Sequence, residues 1–328
     1  MPTFLTTPKM SPALAARILA SVRGDARAKS DGRTSGAKRI ATSLARVLLV
    51  VLLVFAVRSF VSFRSRESRE LEEARAALAR DVHGHAAGLT EPEKKLVERV
   101  RPWLLSASSG YEGDVLSDDL RTSGLGPRLL RPSIYVRGPI TAFGDPKALA
   151  ETAATSGKDP LLVCLLDPPK SRDEKSVLEK VRGVYMGSAD SRTPQVRHLH
   201  EAIVGLPFLA PAWTAKIESA KALPELFRLR HELEKAPIDG AKMAAKAETL
   251  IYAMDEPGHG TGPVEIDGER AHDVRVGIVD IGSGRVLFRA KRPVDPAWIS
   301  STARVVYARG LDGCLLAVDL LAAASSRK

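Results

Sequence analysis

The sequence is short of three things: cysteine, catalytic signatures, and surplus charge beyond its first 46 residues. Two cysteines in 328 residues exclude a disulfide framework. Cys164 falls in an apolar run and Cys314 in an apolar helical stretch, and both are expected to be free core thiols. An exported compartment would permit them to bond if they met. There is no Walker A pattern, no G-x-S-x-G, no H-E-x-x-H and no C-x-x-C, so the best-defined nucleotide, hydrolase, zinc-protease and redox signatures are missing. The formal net charge is +10, but residues 1–46 hold nine Lys/Arg against two acidic residues. With Arg58 set aside, residues 64–328 keep a surplus of only two positive charges. A nucleic-acid groove requires a basic field that this part of the chain lacks, so no nucleic-acid partner is expected.

What is present is a hydrophobic run. Eleven uninterrupted apolar residues, Val47 to Val57, lie between Arg46 and Arg58, and these are the only charges from Ile40 to Phe63. Each arginine is within about two turns of an end, where its long side chain can reach headgroups. The pattern predicts one transmembrane helix over 40–63. A cleaved signal peptide fits less well, because its basic region would be unusually long and no small-x-small cleavage pattern follows Val57. A buried core helix would not explain the charge asymmetry. By the positive-inside rule, residues 1–39 form a disordered basic cytoplasmic tail and the C-terminal part is exported. A bacterial inner membrane is expected. The Arg- and Ser-rich, acid-poor tail also suits a mitochondrial presequence, with the same topology in the mitochondrial inner membrane.

Residues 64–88 are mostly strong helix formers with opposite charges at i,i+4, such as Arg66 and Glu70, and read as a helical stalk ending near Gly84 and Gly88. His83 and His85 read as solvated polar residues of the stalk end. Residues 89–328 are expected to form one exported domain. Thr90-Glu-Pro-Glu93 is a capping box, and Leu96, Val97, Val100 and Leu104 make the apolar face of the helix it starts. Residues 106–132 read as loop. Strands are expected at 133–137, at 161–166 and at 249–254, the last two apolar enough to be buried on both faces. Amphipathic helices are expected over 171–184 and over 213–233, the second kinked at Pro224. A hairpin over 273–290 turns at Gly282-Ser-Gly284. Val274, Val276, Ile278, Val286, Phe288 and Ala290 should face its core, with Arg275 on the opposite, tolerant face. A closing helix starts at Asp295-Pro296 and carries Trp298, Ile299, Val305 and Val306; 311–323 continues it or forms another. The fold class is α/β or α+β, with a mixed β-sheet flanked by helices.

One internal echo bears on function. Leu161-Leu-Val-Cys-Leu-Leu-Asp167-Pro-Pro169 and Thr249-Leu-Ile-Tyr-Ala-Met-Asp255-Glu-Pro257 share a pattern of six apolar strand-like residues and then Asp-x-Pro. If both are parallel strands of one sheet, Asp167 and Asp255 emerge at the carboxyl edge, where α/β sheets place ligands. Glu256, His259 and the glycine-rich run 258–262 follow, so carboxylates and an imidazole would converge on a metal or a water. The plainer reading is that Asp and Pro stop strands and start turns. His198 and His200 would share a face on a strand, but their context looks helical, where i and i+2 diverge. No spacing matches a defined metal or catalytic motif, and no cofactor is expected. The order of basic tail, single span, stalk and α/β domain is similar in layout to many bacterial envelope assembly and scaffold proteins. The expectation is therefore a non-enzymatic, membrane-anchored protein whose exported domain binds another protein or an envelope component. The alternative is an anchored hydrolase or metal-dependent enzyme using Asp167, Asp255 and His259.

Overall fold

The computed structural model describes residues 36–156, 159–186, 196–258, 271–295 and 300–325. The expected tail, apart from residues 36–39, lies outside the described residues, as do His259, most of the glycine-rich run after it, and Trp298 and Ile299. Two units divide the chain, Met1–Ser68 and Arg69–Lys328. Helix α1 spans Gly36–Ala86, and its residues from Arg69 onward belong to the second unit. The eight apolar residues Leu48 to Phe55 are 58–70% exposed. Among the described residues no helix is long and apolar enough to cross a membrane. Apart from Arg58 and Ser59, the rest of the expected span 40–63 has side chains outside the described residues.

The second unit is built on a six-stranded mixed sheet: β1 (Val115–Leu116), β2 (Ser133–Pro139), β3 (Val196–His198), β4 (Thr249–Asp255), β5 (His272–Asp280) and β6 (Val286–Val294). The spatial order is β1-β6-β5-β4-β2-β3, with β2 parallel to both β3 and β4 and the other pairings antiparallel. The helices of this unit after α1 are α2 (Glu91–Lys94), α3 (Leu96–Ser109), α4 (Asp118–Ser123), α5 (Leu125–Leu129), α6 (Pro146–Thr155), α7 (Leu161–Leu166), α8 (Glu174–Tyr185), α9 (Leu199–Gly205), α10 (Pro211–Ser219), α11 (Leu223–Lys235), α12 (Ile238–Ala245) and α13 (Ser301–Ser325). Alternation along the central strands sends Ile134, Val136, Leu250, Tyr252 and Met254 to one face, where α3, α6 and α9 to α12 cover them. Tyr135, Ile251, Ala253, Val274, Val276 and Ile278 point to the other, beneath α7, α8 and α13. The sheet is therefore buried on both sides.

Several expectations meet the structure directly. The capping box is formed: the Thr90 N–H donates to Glu93 Oε2 at 2.6 Å and the Thr90 hydroxyl at 2.8 Å. It starts the single turn α2, and Leu96, Val100 and Leu104 of α3 are fully buried. Part of the expected stalk 64–88 packs into the domain. From Leu71 onward α1 contributes Leu78 and Val82 to the core, and Arg75 donates to the Ala220 carbonyl at 3.0 Å. Residues 106–132 hold the end of α3, β1, α4 and α5 where loop was expected. The single kinked helix over 213–233 is two helices, each with a proline in its first turn, Pro211 and Pro224.

Residues 161–166 are the main correction. They form helix α7 and not a strand. Leu161, Leu162, Cys164 and Leu165 are buried while Val163 and Leu166 are only partly so, a one-sided helical pattern that an unbroken apolar run conceals. A second correction follows: Cys164 and Cys314 are not free thiols. They are joined, with Cα atoms 5.1 Å apart, tying α7 to α13.

The hairpin is present, with Asp280 accepting from Ser283 N–H at 2.9 Å in its turn and Gly284 at φ +71°. Its alternation holds on β5 but slips on β6. Ile278 pairs with Phe288 while Val279 pairs with Val286, so Leu287 is an extra residue in a bulge. Leu287 and Phe288 both pack with α7 and α13, and Val286 turns to the opposite face. Arg275 is not on a solvated face either: its side chain is 16% exposed, ion-paired to Glu256, and donates to the Ala107 carbonyl at 3.1 Å. Between Arg275 and Val279, Gly277 leaves room for the ring of Tyr252, its cross-strand neighbour. A Cβ at Gly277 would overlap that ring. Gly277→Val is expected to lower stability by about 1–3 kcal/mol through overpacking. In a double-mutant cycle, Tyr252→Ala should recover part of that loss; purely additive denaturation midpoints would contradict the assignment.

Candidate functional site

The Asp-x-Pro echo does not assemble. Because 161–166 is helical, Asp167 closes α7 at its C-cap, and its carboxylate is ion-paired with Lys180 of α8. Asp255 ends β4, whose neighbours in the sheet are β2 and β5. The parallel strand that was to carry Asp167 to the same edge does not exist. Glu256 follows Asp255 but turns to the opposite face, where Arg275 and Lys291 hold it, Lys291 at 2.7 Å. Burial works to raise the Glu256 carboxyl, and these two cations outweigh it and hold it below the usual range.

Asp255 instead belongs to a buried polar chain that crosses the sheet. Arg137 of β2 is 3% exposed; it donates from Nε and Nη2 to Asp255 at 2.9–3.2 Å and from Nη1 to Asp159 at 3.1 Å. Asp159 is fully buried, accepts the Tyr135 hydroxyl, and caps the start of α7 by accepting the Leu161 N–H at 3.2 Å. At the other end, His272 Nε2 of β5 lies 3.4 Å from Asp255 Oδ1. Burial alone would raise the Asp255 carboxyl, but the Arg137 guanidinium and the His272 hydrogen bond hold it down at about 2. Burial, with the Asp159 carboxylate beside it, pushes the Tyr135 phenol well up, so it remains a donor. Asp159 is closed off by its partners, while Asp255 keeps a quarter of its side chain exposed. The arrangement binds β2, β4, β5 and α7 to one another.

The local fold explains how Asp159 gets there. Strand β3 pairs with β2 only as far as Tyr135. Beyond it, Ser156 takes the place of a strand: its hydroxyl accepts the Arg137 N–H at 2.9 Å and donates back to the Arg137 carbonyl at 2.9 Å. The chain passes from α6 on one face to α7 on the other at this point, carrying Asp159 under the sheet. Sequence reasoning missed Arg137, Asp159 and His272. An arginine inside the apolar strand Ile134-Tyr-Val-Arg137 was the available signal, since a buried cation demands buried acids.

The remaining histidines stay separate. His198 ends β3 and His200 lies in α9. Their Nδ1 atoms, with Arg197 Nε and Glu201 Oε2, are buried without a hydrogen-bond partner among the described residues. Burial lowers His198 and keeps its imidazole neutral. Arg197 reaches toward Met243 of α12 and Glu201 lies against Gly240, so these groups do not face one space. Among the described residues no group of three His, Cys, Asp or Glu side chains is placed to hold a metal ion. His83 lines a groove of about 650 Å³ between the end of α1 and α10. Its walls are Ala79, Val82, Ala86, Leu209, Pro211 and Ala215, with Arg80, His83, Lys94 and Glu218 among its polar residues. Compared with protein-family models, with curated proteins and with solved structures, the chain matches none.

Proposed function

We propose that the chain is a single-pass membrane protein, anchored through residues 40–63, whose exported C-terminal domain binds a partner protein in the envelope. The observation that carries this reading is the run Leu48–Phe55, 58–70% exposed on a helix preceded by a strongly basic segment. Water does not tolerate eight consecutive exposed aliphatic and aromatic residues, and a bilayer does. The Cys164–Cys314 bond fits an oxidising, exported compartment. On the domain, the groove between α1 and α10 suits an amphipathic helical segment of the partner. Its apolar walls would take the segment's apolar face, and Arg80, exposed and with no ion-pair partner among the described residues, favours an acidic flank. A hydrolase built on Asp167, Asp255 and His259 draws no support from the site, because Arg137 already engages Asp255 and Lys180 engages Asp167.

A reporter active only outside the cytoplasm is expected to be active when fused after Lys328 and inactive when fused before Ile40. A C-terminus resistant to external protease in spheroplasts would refute the orientation. Photo-crosslinkers placed at Ala79 and Ala215 in native membranes should capture one and the same protein. Capture by neither would remove the groove from the reading while leaving the topology intact.

A further inference from the structure

Cys164 and Cys314 are 150 residues apart, and both are fully buried. Cys164 is enclosed by Leu161, Leu162 and Leu165 of α7, and Cys314 by Leu311, Leu315 and Leu316 of α13. Packing at the joint is tight: a Cβ on Gly313 would lie 2.8 Å from Asp159 Oδ1 and 3.0 Å from the Leu161 nitrogen. Once α13 is seated, no oxidant reaches either sulfur. A protein disulfide forms by attack of a thiolate on an existing disulfide, so the attacking sulfur must be accessible. Uncatalysed thiol–disulfide chemistry takes minutes to hours, whereas domains fold in milliseconds to seconds. Left to itself, folding would bury two thiols before they were oxidised.

We infer that this chain is a substrate of a protein dithiol oxidase, which makes the Cys164–Cys314 bond before α13 docks. The inference rests on the exported topology proposed above, since a cytoplasmic chain would be kept reduced. One cysteine thiolate attacks the oxidase disulfide, giving a mixed disulfide and releasing one oxidase thiol. The second cysteine thiolate then attacks the sulfur of the first. The intramolecular bond forms and the oxidase leaves as a dithiol. Two electrons and two protons pass from the cysteine pair to the oxidase, and nothing else is consumed.

The test follows the full-length chain in cells by pulse labelling, acid quenching, unfolding and alkylation with a maleimide polymer. Newly made chain should take up two polymers, chain a few minutes old none, and the same chain two again after reductant. In Cys164→Ser and in Cys314→Ser no second thiol of the chain can carry the mixed disulfide forward, and only its reversal by the released oxidase thiol remains. Each variant should accumulate a reductant-sensitive adduct with a second protein, identified by mass spectrometry as a dithiol oxidase. Both readouts are taken on unfolded chain, so a variant that fails to fold still reports. Two reactive thiols at steady state, or a homodimer of the variant in place of the adduct, would overturn the inference. Protease accessibility of the C-terminus, measured alongside, separates the causes: free thiols on an accessible C-terminus defeat this inference alone, and free thiols on a protected one defeat the topology as well.

Discussion

Arg137→Ala is expected to cost the C-terminal domain about 3–5 kcal/mol, enough to unfold it or leave it marginal. The substitution removes the cation between Asp159, which is fully buried, and Asp255, which is a quarter exposed, and leaves both carboxylates in the sheet's interior. Chemical denaturation followed by circular dichroism would measure it. Arg137→Lys should recover only part of the loss, because an ammonium cannot reproduce the forked contacts to two acids. The same cluster sets a pH signature. The folded Asp255 carboxyl sits at about 2 against an ordinary 3.8, so its stabilising share is complete above pH 4. That share is lost as pH falls from about 4 toward 2, and the slope over this window should flatten in Asp255→Asn. An unchanged slope would mean that another carboxylate governs acid unfolding.

The second large effect concerns the disulfide. Closing a loop of 150 residues removes chain entropy equivalent to about 5 kcal/mol in the chain-entropy treatment, an upper figure for the unfolded state. Replacing Cys164 and Cys314 together by alanine is expected to lower Tm by roughly 10–20 °C. Dithiol reductant should leave the native protein untouched until it begins to unfold, since neither sulfur is exposed. Equal Tm with and without reductant in fully unfolded-and-refolded samples would show that the bond adds nothing.

Much of the architecture follows from local pattern, and the exceptions are instructive. β4 and α7 derive from nearly interchangeable apolar hexads. Thr249-Leu-Ile-Tyr-Ala-Met254 carries β-branched and aromatic residues and forms a strand, while Leu161-Leu-Val-Cys-Leu-Leu166 is dominated by leucine, a good helix former. Composition within the run separated them where periodicity did not. The bulge at Leu287 had no such marker, because hydrophobic residues on either side of it satisfy both registers. The Cys164–Cys314 contact joins a helix in the connection between β2 and β3 to the helix that follows β6, and sequence spacing carries no trace of it. The polar chain was half visible: Asp255 stood out through its neighbours, but Arg137 read as the end of a strand and Asp159 drew no reading.

Ser156 has a consequence for how the sheet ends. The sheet's margin beyond His198 is closed by one hydroxyl group, where another protein would use a strand, a proline or a lysine. Besides the two contacts to Arg137, the same hydroxyl lies 3.0 Å from the Thr152 carbonyl of α6. Ser156 and Arg137 are both buried, so removing the hydroxyl would strand an N–H and a carbonyl inside the protein, a desolvation penalty of about 1–3 kcal/mol for each group.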